Sequence, residues 1–314
     1  MTDGATGPAT LAVSKGHGTE NDFVLIDDRR GDLDLGPELV RALADRRRGV
    51  GGDGVLRLVA ASALAEGGGA LAEDPAATWF MDYRNADGSV AEMCGNGVRV
   101  IAAFVERLGL WDGTGELVLG TRAGIRRVAR EPDPDGGHGA WYRVDMGPWR
   151  LPGGQRAADA GADAEVDVTG LPVARAGLSV ELGNPHTVLA LADEAELAAA
   201  DLSVAPRVTP LAPHGTNIEL VVPMGESDGP DGLVGTLRMR VHERGVGETR
   251  SCGTGACAAA LAVRAWAGSG APDRWRVLVP GGLLEVIVAG ERVELAGPAV
   301  LVADAVVDLA ALIG

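Results

Sequence analysis

Lysine is almost missing from this chain of 314 residues: Lys15 is the only one, and the other members of the 28 Lys+Arg residues are arginines. A Schiff-base mechanism would have one candidate, near the N-terminus, so pyridoxal-phosphate chemistry is not expected. Cysteine is nearly as scarce. Three are too few for a disulfide framework and the number is odd, so free thiols are expected. Cys252 and Cys257 stand at i and i+5, far from a zinc CxxC spacing, so no metal site is expected either. Positive charge is short as well. A net charge of −16 repels a polyanion, which argues against nucleic acid as a partner. No run of 18 apolar residues occurs, and the nearest, "ACAAALAVRAWAG", is short and carries Arg264. The opening "MTDGATGPAT" has neither the basic nor the apolar region of a signal peptide. The chain therefore reads as soluble and cytoplasmic, with no membrane partner. "RRRGVGGDGV" at 46–55 lacks the Gly-Lys-Ser/Thr of a phosphate-binding P-loop.

Apolar residues make up 46% of the sequence, enough for real cores, and 47 glycines imply many turns and close backbone approaches. At roughly 100–200 residues per domain the length suggests two domains. Stretches rich in Ala, Gly, Pro and acids at 60–77, 131–139, 151–165 and 224–232 read as loops or insertions, and 131–139 is the best candidate for a boundary. Between them lie β-like runs at 22–27, 77–84, 116–121, 141–147, 217–223, 237–243, 283–288 and 292–297. Two helices stand out. After Cys94, apolar Val98, Ile101, Ala102, Val105 and Leu108 recur at helical spacing, and Gly109 can end the run. After Cys252 the helix is small or apolar on nearly every face, which places it inside a domain.

The two halves resemble each other. "NDFVLIDD" is echoed by "NPHTVLALAD", and "RNADGSVAEMCGNG" by "ERGVGETRSCGTG". Each half runs from an Asn and a strand, through a polar Gly-containing turn, to Cys-Gly-x-Gly and a helix. Two such halves face to face would bring two cysteines and two helix N-termini to one cleft, where small-ligand sites concentrate. A helix N-terminus offers unpaired N–H groups and a partial positive charge, which suit a carboxylate without Lys or Arg. The same field is expected to lower a thiol pKa from about 8.5 toward neutrality and ready it for acid–base work. A thiolate and a thiol on opposite sides of one carbon could invert it, with the N–H groups stabilising charge on the carboxylate. A lone Cys before a helix is more often packing. The matched pair favours catalysis, and Cys257, inside the Ala-rich helix, reads as packing.

Further polar residues could complete a pocket: Asn85, Asn96, Asn184, His186 and Asn217, although Asn in a turn commonly serves the backbone. Glu243 and Arg244 form either a solvated surface pair or a holder for the amine and carboxylate of a substrate.

In order along residues 16–257, "GHGTENDFVLID", "RGVGGDGV", "NADGSVAEMCGNGVR", "GNPHTV", "GTNIELV" and "ERGVGETRSCGTGACA" resemble the conserved blocks of the diaminopimelate epimerases. The resemblance implies an α/β (α+β) fold of two pseudo-symmetric domains, each a curved mixed β-sheet or barrel wrapped around a central helix. The domains would be 1–138 with 298–314, carrying Cys94, and 139–297, carrying Cys252. It implies interconversion of LL- and meso-2,6-diaminoheptanedioate, in lysine and peptidoglycan-precursor synthesis, with no cofactor, a small-molecule amino-acid substrate and a homodimer. By motif, Cys94 and Cys252 are the acid–base pair, Cys252 taking the proton in the LL-to-meso direction. His186 and Glu243 support the transfers. Gly95, Asn96, Gly253 and Thr254 hold the reacting end, and Asn21, Asn85, Asn184, Asn217, Glu243 and Arg244 hold the substrate. Two features depart from the pattern: Gly54 stands where some members carry a substrate-contacting Gln, and the 60–77 stretch is longer than the family core requires. The rival readings are a proline or hydroxyproline racemase on the same fold, a cysteine-nucleophile hydrolase using His186 or His214, and an amino-acid-binding module.

Overall fold

A computed structural model describes residues 10–136, 139–230 and 232–313. They divide into two compact units. The first runs to Tyr142 and resumes at Ala299; the second is Arg143–Pro298. The first division falls inside a strand, Trp141–Pro148, later than the 131–139 loop, of which residues 137 and 138 lie outside the described residues.

In the first unit, β1 (Thr10–Gly18) and β2 (Asn21–Asp27) form a hairpin. Its two-residue turn, Thr19 and Glu20, has both φ values positive, 49° and 63°, as the right-handed twist of a tight hairpin demands. A β-branched Thr is strained there, and the hydroxyl of Thr19 accepts from Arg99 Nη2 at 3.4 Å. Helix α1 (Pro37–Ala44) follows, then β3 (Gly54–Ala60), parallel to β2, α2 (Gly67–Glu73) and β4 (Trp79–Asn85), antiparallel to β3. Helix α3 (Gly95–Arg107) crosses to β5 (Glu116–Thr121), parallel to β4, and β6 (Gly124–Glu131) pairs antiparallel with β5. The strand Val300–Asp308 closes on the outer side of β1. Helix α3 is buried from Gly95 to Val105 and packs on β1, β2, β3, β4, β6 and the Val300–Asp308 strand, so it is the centre of this unit. Leu108 caps it and Gly109, at φ 69°, turns the chain away.

The second unit repeats the plan. After β7 (Trp141–Pro148), α4 (Gly154–Ala160) and β8 (Ala164–Asp167), β9 (Arg175–Glu181) and β10 (Pro185–Ala190) pair antiparallel. Helix α5 (Glu194–Ala199) and β11 (Arg207–Thr209) precede β12 (Asn217–Gly229), parallel to β10, and β13 (Gly232–Glu243), antiparallel to β12. After β14 (Gly247–Thr249), α6 (Gly253–Ala267) crosses to β15 (Arg274–Val279), parallel to β13; β16 (Gly282–Ala289) and β17 (Arg292–Pro298) complete the sheet. The order antiparallel, parallel, antiparallel, helix, parallel, antiparallel is the same in both units, which is the fold-level form of the sequence duplication. Helix α6 is fully buried over Gly255–Val263, and its alanines let β9, β10, β12, β13, β15, β16 and β17 all approach it.

Three stretches expected to be loops carry regular structure. Residues 60–77 hold a 3-10 turn at Ala61–Ala63 and α2, whose Ala70 is buried against Gly120 of β5. Packing overrides three helix-weakening glycines at its start. Residues 151–165 include α4 and the start of β8. Of residues 224–232, those from 224 to 229 and Gly232 belong to the outer arms of the β12–β13 hairpin, reached through a register shift between Pro223 and Gly225, and residue 231 lies outside the described residues. No described helix is long and apolar enough to cross a membrane.

Candidate active site

Two clusters carry the expected site residues, one in each unit. In the first, Cys94 is the N-cap of α3, with extended backbone (φ −142°, ψ 124°), so its side chain leaves the helix at the end rich in unpaired N–H groups. Its sulfur lies 3.5 Å from Asn21 Oδ1, which also accepts from Asn96 Nδ2 at 3.2 Å. The strained β1–β2 turn starts β2 at Asn21, and Asn21 Nδ2 donates to Asp53 Oδ2 at 2.7 Å. Asp53 is fixed in turn by Arg46, which also forks onto Asp22, and Lys15 holds Asp22 at 2.6 Å. Burial raises the Asp22 carboxyl, but hydrogen bonds and charge from Arg46 and Lys15 outweigh it and hold the group well below its ordinary range. Asn85 sits at the end of β4, its Nδ2 on Ser89 Oγ at 3.0 Å, and the next residue's N–H reaches Asp53 O. Asn21, Cys94 and Asn96 are thus joined directly, Asn85 is tied to them through Asp53, and Gly95 stands between Cys94 and Asn96 as the first residue of α3. Gly54 pairs with Asn85, and a Cβ on it would lie 2.5 Å from Arg84 O. No side chain fits there, so the family's Gln has no equivalent at this position.

In the second unit, Cys252 is the N-cap of α6, again extended (φ −122°, ψ 117°), and its sulfur accepts from Gly255 N at 3.4 Å and meets Thr254 Oγ1 at 3.6 Å. Thr254 Oγ1 takes Asn184 Nδ2 at 3.2 Å, Asn184 Oδ1 meets His186 Nε2 at 3.1 Å, and His186 Nδ1 meets Glu219 Oε1 at 2.7 Å. Asn217 spends its amide on backbone: Nδ2 on Pro185 O at 3.3 Å, and Oδ1 accepting Arg244 N at 2.9 Å. It ties β10 to the end of β13, where Glu243 accepts from Thr249 Oγ1 and Arg244 Nη1 donates to His214 O at 2.7 Å. His214 enters through its carbonyl alone, and His242 is buried with Nδ1 on Leu202 O.

Electrostatics correct one expectation. A helix N-terminus was expected to lower the thiol pKa, yet Cys252 is pushed well above its ordinary value. Burial is the largest cause, followed by the negative charge of Glu243 and by any negative charge on Glu219; the Thr254 hydroxyl and the Gly255 N–H oppose them and lose. Burial also raises Glu219, against the pull of His186. These influences together favour the neutral thiol form of Cys252. None of the three cysteines is in a disulfide, Cys257 is wholly buried in α6, and among the described residues no group of three His, Cys, Asp or Glu could hold a metal ion.

Two sets of residues went unnoticed in the sequence. Asp53, Arg46, Asp22 and Lys15 anchor Asn21; the lone lysine was the available signal. Glu219 is completely buried beside His186, and its signal was a charged residue in the apolar run "NIELVVP".

The duplicated fold is shared with solved structures of a Bacillus anthracis phenazine biosynthesis protein of the PhzF family (TM-score 0.61, 15% identity, covering 95% of this chain and 99% of that one) and an Agrobacterium vitis hydroxyproline epimerase (TM-score 0.58, 16% identity, covering 96% and 91%). The chain thus shares the α/β fold of these proteins. Within it the family is narrower. The family model described as Diaminopimelate epimerase matches residues 13–152 and 178–302. Proteins named diaminopimelate epimerase from Rhodococcus erythropolis (48% identical, 96% of this chain and 97% of that one), Thermobifida fusca (46%, 96% and 100%) and Streptomyces coelicolor (44%, 97% and 98%) align over nearly their whole length. This chain belongs to the diaminopimelate epimerase family.

Proposed function

We propose that this chain is an isomerase that interconverts LL- and meso-2,6-diaminoheptanedioate by two-base proton transfer, Cys94 and Cys252 addressing opposite faces of one Cα. The observation that carries the reading is the matched placement of the two sulfurs. Each caps a central helix, and each lies beside an Asn-held turn that provides hydrogen-bonding groups for an amino-acid head. The N–H groups at the two helix starts would bind the α-carboxylate and stabilise the charge that reaches it when the carbon is deprotonated. Burial favours the thiol form of Cys252, which suits it to give a proton. To take one in the LL-to-meso direction it must first be ionised, and a substrate ammonium beside Glu243 would relieve the repulsion that opposes this. His186 and Glu243 support these transfers. Gly95, Asn96, Gly253 and Thr254 would hold the reacting end, with Asn21, Asn85, Asn184, Asn217 and Arg244 orienting the substrate.

The second amino-acid head of the substrate separates this reading from a proline or hydroxyproline racemase. Proline has no second carboxylate for Arg244 to hold at its far end. A hydrolase would leave the second cysteine without a role. We place the enzyme in the cytoplasm as a homodimer on the family resemblance; sedimentation of the purified protein tests the second point. The chemical test is incubation with LL-diaminoheptanedioate, or with L-proline, followed by chiral chromatography. The reading expects meso product from the first and no D-proline from the second. Conversion of proline alone, or of neither, would overturn it.

A further inference from the structure

Glu219 has no part in the roles assigned so far, yet it is a fully buried carboxyl group at the centre of the second cluster. Its side chain is fully buried, Oε1 is 2.7 Å from His186 Nδ1, and Oε2 is buried with no hydrogen-bond partner among the described residues. The head of α6 closes over it: a Cβ on Gly255 would lie 2.8 Å from Oε1, and Gly255 N is the donor to the Cys252 sulfur. The titratable groups that face Glu219 are His186 from β10, Glu243 from the end of β13 and Cys252 at the head of α6.

The hydrogen bonds place the protons. Asn184 donates from Nδ2 to Thr254, which leaves its Oδ1 toward His186, so His186 Nε2 must carry a hydrogen. Its Nδ1 then either shares a second proton with an ionised Glu219 or accepts one from the acid. An ionised Glu219 would leave a charged oxygen, Oε2, buried without a donor, which is the costlier arrangement. As the acid, with the proton on Oε1, its Oε2 is only a carbonyl oxygen. The acid also adds no negative charge facing a sulfur that must become a thiolate during turnover. Burial acts in the same direction, raising the Glu219 carboxyl.

We propose that Glu219 is a positioning residue held as the carboxylic acid, which donates from Oε1 to His186 Nδ1, fixes the Nε2–H tautomer of His186 and, through Asn184 and Thr254, sets the hydrogen bonds around Cys252. The proposal rests on the reading of Cys252 as an acid–base group. Two variants test it. Glu219→Gln puts an amide N–H where the acid O–H stands and a carbonyl oxygen at the Oε2 position, so it mimics the acid. Glu219→Leu removes the donor and leaves His186 Nδ1 without one.

The expected result for Gln is a kcat within about threefold of wild type and an unmoved alkaline limb of the pH–kcat/KM profile. For Leu we expect kcat to fall about 10- to 100-fold at nearly constant KM, since the loss is in orienting a proton donor and not in binding substrate. Imidazole 15N shifts, assigned to His186 by comparison with a His186→Gln variant, should show the Nε2–H tautomer in wild type and in Glu219→Gln. The proposal is overturned if Gln is as impaired as Leu, if Gln moves the limb to lower pH as loss of a carboxylate charge would, or if Leu keeps full kcat. Should Leu fail to fold, the Gln profile and the wild-type 15N shifts decide alone. Should wild type fail to epimerise any amino acid, the functional reading falls, while the tautomer measurement still tests the placement of the Glu219 proton.

Discussion

Gly255→Ala opposes two effects of known size at one site. In an ordinary helix interior the change stabilises by about 1 kcal/mol, because alanine loses less backbone freedom on folding. Here the added Cβ would stand 2.8 Å from Glu219 Oε1, 3.2 Å from Cys252 Cβ and 3.3 Å from Cys252 Sγ. The end of a flexible glutamate could normally swing aside. Glu219 cannot do so cheaply, since it is wholly buried and bonded to His186. Overpacking of this kind costs about 1–3 kcal/mol, so the net effect is a loss of up to about 2 kcal/mol. The sulfur must also move, so kcat should fall at least tenfold, equivalent to about 1.4 kcal/mol of barrier. Gly69→Ala in α2 is the control: nothing lies within 4 Å of its Cβ position, and stability should rise by up to about 1 kcal/mol with kcat unchanged. Urea midpoints and epimerisation rates of the two variants provide the comparison. If Gly255→Ala matched Gly69→Ala in both, the packing assigned to the head of α6 would be wrong.

Other outcomes follow from the buried charges. Because the Cys252 thiol sits above its ordinary pKa, its alkylation by iodoacetamide should be slow at pH 7 and rise about tenfold per pH unit into the alkaline range. Glu243→Gln removes a repelling charge and should speed that reaction at fixed pH; peptide-level mass spectrometry reads it, and a rate flat from about pH 7 to 9 would contradict it. Asp82 is fully buried under Arg57, Arg84 and Arg122, with contacts of 2.6, 2.8 and 2.7 Å. Asp82→Asn strands these cations and should destabilise by about 3 kcal/mol or more. Hydrogen bonds from the arginines and their charge hold the Asp82 carboxyl below its ordinary range despite burial. Its contribution is therefore complete above the unfolded value, about 3.9, and fades as pH falls toward the lower folded one. Denaturation midpoints of the Asn variant should lack that acid-side dependence.

Much of this was legible in the sequence because local signals and tertiary demands agree at the key elements. The 3.6-residue recurrence after Cys94 became α3, which ends at Arg107 just ahead of Gly109, and the all-round small and apolar run after Cys252 became the buried α6. Strands with strong β-branched content, such as "DFVLID" and "ELVLGT", fell where expected. Helix α2 was hidden because glycines open it and only its burial against β5 makes it helical. The ends of the β12–β13 hairpin were hidden because Gly, Ser and Asp suit turns equally well. Within the site, residue types and motif spacing pointed to the two clusters. The sign of the Cys252 shift did not follow from its helix position, because it depends first on burial and then on the charge of Glu243, and only the folded chain brings either to the sulfur. Gly54 reads as a missing side chain in the sequence and as a steric necessity in the fold, where Arg84 O occupies the space.

The central claim is that two different groups handle the proton on the two faces of one carbon. The most direct measurement starts from LL-diaminoheptanedioate in D2O and, in the first few per cent of turnover, compares deuterium at Cα in product and recovered reactant. Separate donors and acceptors predict solvent deuterium in the meso product and almost none in the remaining LL form. Deuterium appearing in the LL form as fast as in product, or product formed without any, would contradict the account.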